Sequence, residues 1–456
     1  MAPPALSSTK YYYDTSSLRP GDIMQIGLQA NAATLDTGSY PYTMTIADIR
    51  SGTPTTFTYT GNATVENATE DPTFSALGAG WTVDGLDKIV PATGGVILDE
   101  GSGTIAWFSG SFGGGGGTYT SPASKFSTLV LNGSGTYTLT QTDGTKENFS
   151  SGGLETTLVD RNGLTTTFVY SSSRLQTITD PFSNITTFSY NGSNQLQSVK
   201  DSAGRFTTFT LSSGDLTAVE YPDGSTWDYG YDGSNRMTSV TEPSSAGEPT
   251  KISTIAYDAA ERVSTVTRAD STTEEFSPAQ VQGWTNSGTT GSPAPSVLLA
   301  EVGSTYTDPL NNVTTDSPDW RGMGLTDQET DALGNVATMD RDVNGLATIT
   351  IDPLNRITQD AYDASGNVTK IIYPDLSTTT FGTFNSFAEP STMTDQLGRT
   401  TTYTYDAHGN NTVVENALDD VTTYTYSATQ PGMLTAQTAP ALVGHSSYTL
   451  FSYPPA

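Results

Sequence analysis

A unit of about 21 residues recurs along most of this chain, and no other feature of the sequence restricts its fold so strongly. The opening position of the unit is acidic or aromatic and often precedes Pro. It falls at Asp160, Asp180, Asp201, Tyr221 and Glu242, in steps of 20 or 21. It resumes at Asp308, Asp331, Asp352, Tyr373, Asp395 and Asn416, in steps of 21 to 23. Self-similarity at such a period marks an array of small units, each contacting mainly its neighbours.

Each unit opens on a turn, as in Asp180-Pro181-Phe182-Ser183 and Asp352-Pro353-Leu354-Asn355. Pro presets φ at the second turn position, and Asn or Gly accepts positive φ. An alternating run follows, TTFSY at 186–190 and TTYTY at 401–405 and 422–426. Period two sends Thr to one strand face and aromatics to the other. A second turn follows the tyrosine in YNGS, YDGS, YDASG and YDAHG, where Asn-Gly and Asp-Gly signal a tight hairpin. A short strand closes the unit: LQSV (196–199), MTSV (237–240) or VTKI (368–371). Successive units therefore pair antiparallel as one meander. One unit cannot bury its apolar face alone, whereas a coiled sheet closes that face on itself. No long segment keeps a 3.6-residue apolar period. The expected class is all-β, a coiled antiparallel sheet of hairpin repeats.

Five Tyr-Asp pairs stand at Tyr13, Tyr231, Tyr257, Tyr362 and Tyr405, the last four in repeat register. Units of the form D-P-x-G/N-R-x-T-T-x-x-Y-D-x-x-G resemble the bacterial Rhs/YD-repeat family, over roughly residues 130–437. ALGAGWTVDGLDKIV (76–90) and GVILDEGSGTIAWF (95–108) look like the segment that precedes the family's first repeats. GTYTLTQTDGTKENFSSGGLETTLVDRNG (135–163) looks like its transition into the array. The structural repeat positions are Asp160, Tyr170, Asp180, Tyr190, Asp201, Tyr231, Tyr257, Asp308, Asp331, Asp352, Tyr362, Asp395, Tyr405 and Tyr426. Leu211 departs from the pattern, as do Asn385 and Phe387, and residues 267–306 lose it in a Gly/Ser/Pro-rich excursion.

The organisation read from these patterns has three parts. Residues 1–75 alternate like part of a small β-sandwich, 76–134 form a β-rich lead-in, and 135–456 form the repeat shell.

Hydrophobic residues make up 34% of the 456, but 23 Tyr and 16 Phe supply enough burial to argue against disorder. The net charge of −29 repels nucleic acid and anionic membranes. The absence of cysteine excludes disulfides, thiolate catalysis and Cys-ligated zinc. The start, MAPPALSSTKYYYD, lacks a signal-peptide pattern, and no apolar run of about 18 residues could span a bilayer as a helix. These two features fit a cytosolic chain or an internal piece of a longer secreted one.

Catalytic candidates are sparse. His408 sits in a turn where a sibling unit has Ser365, and neither it nor His445 has a sequence neighbour that completes a triad. Asp340 to Gly345 imitates the start of an EF-hand loop, but Ile351 occupies the position where a bidentate Glu is needed. Most of the 48 acidic residues fall at turn positions, where carboxylates accept backbone hydrogen bonds, so chance pairs do not indicate a glycosidase. Trp107, Trp227 and Trp320 are candidate sugar-stacking residues, though aromatics in regular sheet positions usually pack. The Asn-x-Ser/Thr sequons follow from composition. No catalytic, cofactor or metal residue is expected.

The resemblance implies a non-enzymatic, extracellular or surface-displayed shell segment of a bacterial protein. In the family such shells surround a C-terminal toxin or effector domain, so the implied partner is that cargo in a longer parent chain. The family's core-terminating, self-cleaving segment is not visible here, and no catalytic residue carries over. Two alternatives stand beside this reading. One is a structural or adhesive protein that assembles with copies of itself through strand edges. The other is a binder of cell-surface glycans.

Overall fold

The computed structural model describes residues 12–19, 38–49, 54–65, 76–78, 80–102, 104–244, 249–258, 262–277, 289, 291–295, 303–318, 325–430, 432–442 and 445–450. Among them every regular element is a strand. From Gly117–Thr118 onward, each strand of one long sheet pairs antiparallel with the next in chain order, up to Leu434–Leu442 and His445–Leu450. This is the all-β meander expected from the repeat.

Alternation within the units sets the two faces. Thr157, Thr167 and Thr179 are neighbours across three strands, and Thr177 pairs with Thr187. The other face pairs Phe168 with Ile178, Phe188 with Val199, Phe209 with Val219, and Tyr229 with Val240. Such cross-strand pairs each contribute roughly 0.2–1 kcal/mol. These pairs make an apolar stripe along the first part of the sheet, which Asp316 opposite Glu329 and Asp360 opposite Ile371 interrupt further on.

The register also slips at one end of most hairpins, beside the tyrosine or, where the unit lacks it, beside Leu211, Pro318 or Arg341. It slips between Ser189 and Tyr190, Gly230 and Tyr231, Ala361 and Tyr362, and Thr404 and Tyr405. One residue of the facing strand is passed over each time, Gln197, Thr238, Thr369 and Thr412 respectively. Two of these threonines bridge the bulge: Thr369 Oγ1 donates to Ala361 O at 3.1 Å, and Thr412 Oγ1 to Thr404 O at 3.0 Å. A bulge bends its strand and steepens the local twist, so repetition at one end of most hairpins coils the sheet.

The coil completes more than one circuit. Turns 228 to 248 residues apart in sequence meet through side-chain hydrogen bonds, although the ladder between them runs in chain order. About twenty strands separate the two sides of that contact. At about 4.8 Å per strand this makes a circumference of about 100 Å and a ring roughly 30 Å across.

The lead-in contributes a three-stranded sheet, Lys88–Ala92, Gly95–Asp99 and Ile105–Ser109. Its Ile89, Val96, Leu98 and Phe108 pack with Leu129, Tyr137, Leu139 and Phe149 of the first array strands. A second cluster joins Leu77 and Leu86 to Phe168, Leu175, Phe188 and Leu196, with Trp81 against it. The described core lies where the lead-in covers the start of the array. Full burial of a Leu or Phe side chain stabilises by about 1.5–3 kcal/mol.

Thr273–Ser277 still belongs to the sheet and pairs directly with Ser304–Thr307, so the excursion expected over 267–306 leaves the ladder only after Ser277. In the N-terminal segment, Gly38–Asp48 and Thr55–Val65 form a two-stranded hairpin. Tyr13 and Asp14 lie outside the array and pair in parallel with Ala294 and Pro295.

Candidate functional site

The repeat positions hold the array together through two recurring devices. The first is the aspartate turn. Asp180 N–H donates to Asn184 O, and Ser183 N–H to Asp180 O, both at 3.0 Å. Asp180 Oδ1 accepts the N–H groups of Phe182 and Asn184 at 2.8 Å, and Oδ2 takes the Asn184 amide at 2.7 Å. The same grip on the side chain four positions on recurs at Asp201, Asp308, Asp331, Asp352 and Asp395. It recurs after the tyrosines at Asp232, Asp363 and Asp406. Asp160 accepts the N–H groups of Asn162 and Leu164 in the same way. The Asn or Arg side chain four positions on holds the carboxyls of Asp180, Asp308, Asp331, Asp352 and Asp395 below the usual range. At Asp201 the backbone N–H of Arg205 acts first.

This geometry corrects the expected tight hairpins. Asn191-Gly192 and Asp232-Gly233 do not form two-residue turns. The left-handed residue is the fourth of the turn, Asn194 at φ 64° and Asn235 at φ 61°. Asn191 Oδ1 accepts from Ser193 and Gln195 N–H, and this wider Asx loop moves the positive φ two positions past the Gly.

The second device is a tyrosine anchor. The hydroxyls of Tyr190, Tyr231, Tyr362, Tyr405 and Tyr426 donate to the carbonyls of Leu175, Leu216, Ala347, Pro390 and Asn411 at 2.7–2.9 Å, each 15 residues upstream. Tyr257 reaches Met237 O, 20 residues back, at 2.7 Å. Each tyrosine thus ties its unit to the preceding one. Burial pushes Tyr190 and Tyr405 up to about 12, so these hydroxyls remain donors. Burial, then Glu155, also raises Tyr170.

The array has two rims. Turns that open the units form one, the proline rim; turns that follow the tyrosines form the other, the tyrosine rim. Where the coil overlaps itself, the tyrosine rim of the later circuit sits on the proline rim of the earlier. Arg161 Nη1 donates to Glu389 Oε1 at 2.6 Å. His408 Nδ1 lies 3.1 Å from Arg161 O, and Asn410 Nδ2 donates to Asn162 Oδ1 at 2.9 Å. Phe387 packs over Gly144, where an added Cβ would stand 2.5 Å from the ring. His408 is therefore a seam residue, and Phe387, which breaks the repeat pattern, fills the joint between tiers.

In the first circuit, the lead-in covers the tyrosine rim instead. Ile89 N–H donates to Gly153 O at 2.9 Å, and Leu196 N–H to Ala76 O at 2.7 Å. Trp81 Nε1 donates to Tyr231 OH at 2.9 Å, with its ring edge-on to Tyr229. A carboxyl cluster is sealed beneath this cap. Glu155 Oε2 accepts the Asp87 N–H at 3.1 Å, Asp87 Oδ1 accepts the Gly101 N–H, and Gln141 holds Glu147 at 3.0 Å. Lys125 pairs with Glu100 nearby. Burial is the main cause that raises Glu147 to about 7 and Glu155 to about 8, and neighbouring carboxyls add to it. Sequence reasoning did not single out these acids, because nothing in their spacing distinguishes them from turn acids.

The other candidates have structural surroundings. Asp342 opens an ordinary aspartate turn within the EF-like stretch, its N–H bonded to Leu346 O at 2.9 Å. Trp107 lies against Gly95, and Trp227 pairs across strands with Val219. His445 begins the last described strand, and Trp320 lies outside the described residues. Among the described residues, no three His, Asp or Glu side chains converge as a metal site.

No curated protein matches the chain. Among solved structures, a crystal structure of a TcdB2-TccC3-Cdc42 assembly is 14% identical, with a TM-score of 0.44, over 78% of this chain and 20% of that one. A structure of the Photorhabdus luminescens Tc holotoxin pore is 11% identical, with a TM-score of 0.22, over 79% and 29%. The chain thus spans about a fifth to a third of the chains it matches. A family model described as RHS Repeat matches residues 212–246. The matched segment is one stretch of a ladder whose aspartate turns and tyrosine anchors recur on both sides of it, and over that segment the chain carries an RHS repeat.

Proposed function

We propose that this chain is a non-enzymatic wall segment of an extracellular or surface-displayed bacterial shell, one that separates an enclosed polypeptide cargo from solvent. The tier-on-tier seam carries this reading. A sheet that only stored strands would need no contact between turns 228 to 248 residues apart, whereas a wall needs its circuits sealed. Arg161, Glu389, Phe387, His408 and Asn410 make that seal, and the lead-in closes the rim of the first circuit. Aspartates such as Asp180, Asp331 and Asp352 are engaged as turn ligands, which supports a structural role for the turn acids of the array. A lumen inside a ring roughly 30 Å across admits an extended or helical chain more readily than a folded globular domain. Electron microscopy of the purified chain tests the reading. Ring-shaped class averages with a central lumen are expected; flat ribbons or solid particles would overturn it.

A further inference from the structure

Buried charge is concentrated in one place. Among the described residues of a chain with 48 acidic side chains, the buried carboxyls are Asp99, Glu147, Glu155 and Asp215. All four lie in the lead-in or beneath it. Asp99 ends a lead-in strand, Glu147 and Glu155 stand under the Asp87 loop, and Asp215 precedes Leu216, on which Gly78 packs. Glu155 is 1% exposed and Glu147 7%. Gln141 holds Glu147 Oε1, but Oε2 is sealed from solvent, faces the Asp87 carboxyl and meets no donor among the described residues. Two carboxylate oxygens cannot bond to each other, and one proton between them makes the bond. The same loop is tied to a second buried acid, since Asp87 N–H donates to Glu155 Oε2.

We propose that the lead-in is a proton-operated latch: a proton shared by Glu147 and Asp87, with a neutral Glu155 beside it, holds the lead-in on the tyrosine rim of the first circuit, and ionisation releases it while the ladder beneath stays paired. Few charges face this joint. The lead-in brings Asp87 and Glu100, with Lys88 opposite Asp99 in its own sheet. The array brings Glu147, Glu155 and the Tyr170 phenol, and Lys125, in the loop after the Gly117–Thr118 strand, pairs with Glu100. Full ionisation therefore sets Asp87, Glu100, Glu147 and Glu155 around one nearby cation. Burial lowers Lys125, so this ammonium gives up its proton more readily than a surface lysine, and burial raises Tyr170, which stays a phenol. Both glutamates have raised folded values, so the latch is closed below them and is lost as pH rises through them. The ladder does not share this response, because turn aspartates such as Asp352 and Asp395 are depressed and remain ionised across that window. Release uncovers the rim where Ile89 now bonds Gly153, Ala76 bonds Leu196 and Trp81 bonds Tyr231. One end of the ring thus opens in a mildly alkaline medium.

Hydrogen exchange of the full chain at about pH 6 and about pH 9, corrected for the intrinsic rate, tests this. The amides of Asp87, Ile89 and Gly101 bond across the joint or within the cap. Their protection should fall by about 100-fold or more at the higher pH. Amides of the later ladder, over 326–372, should keep theirs, and in each variant they also report that the array is folded. In the double variant E147Q/E155Q the cap amides should stay protected at both values, because an amide supplies the missing donor without titrating. Asp87→Asn supplies that donor from the opposite side of the joint and should shrink the fall. Cap protection that does not change with pH, a loss shared equally by the later ladder, or a fall that persists undiminished in both variants would each overturn the latch. None of these outcomes depends on whether the wall encloses a cargo.

Discussion

At the scale of single residues, a hydroxyl and a carboxylate do most of the joining. Tyr405→Phe keeps the ring but leaves Pro390 O without its donor at 2.9 Å. A loss of about 1 kcal/mol is expected in a denaturant titration. The positions of these residues were legible from the repeat. Their partners were not, because a carbonyl so far upstream, Pro390 O for Tyr405, becomes adjacent only after the bulge sets the register. The cap acids carry a pH signature. Glu155 and Glu147 have folded values of about 8 and about 7 against an ordinary 4.5, so burial favours their neutral forms. Their contribution is present below the ordinary carboxyl range and is lost as pH rises through the folded values. Stability should therefore fall between about pH 5 and about pH 8 by on the order of a few kcal/mol. The double variant E147Q/E155Q should flatten that slope, and an unchanged slope would remove the cap acids as its cause. The depressed turn aspartates act in the opposite sense, supporting the fold above the usual carboxyl range and losing that support in acid.

At the scale of the element, alternation of Thr with aromatics in runs such as TTYTY identified the strands, because one face is polar and the other packs. The bulge was illegible. The passed-over residue is Gln197, Thr238, Thr369 or Thr412, and each is an ordinary strand residue by type. The Asn-Gly and Asp-Gly dipeptides misled for a related reason: the side chain two positions before Ser193 or Ser234 captures backbone amides and builds a longer loop. Where the bulge carries Thr, its hydroxyl can be removed without changing shape. Thr412→Val should cost about 1 kcal/mol through the bond to Thr404 O, with faster amide exchange centred on 404–413. Unchanged exchange there would show that the backbone alone holds the bulge.

At the scale of the whole molecule, the joint between circuits decides whether the coil is a wall. Arg161 and Glu389 are the charged part of that joint and are only partly exposed. Reversing either, as in Arg161→Glu or Glu389→Arg, should loosen the seam by about 1 kcal/mol, read as faster exchange in both 141–164 and 385–410. The double reversal should restore most of it, and no recovery would mean the two do not act as a pair. The seam could not be read from the sequence, since Arg161 and Glu389 lie 228 residues apart and belong to units that look interchangeable. That distance has a further meaning. Removing one whole unit, such as the stretch from Asp352 to Ile372, would leave every neighbouring strand with a suitable partner. Arg161 would then face the turn of His408 in place of Glu389, and Phe387 would lose its seat over Gly144. The joint therefore works as a vernier that counts units around the ring: the ladder tolerates any number of them, and the seam accepts one.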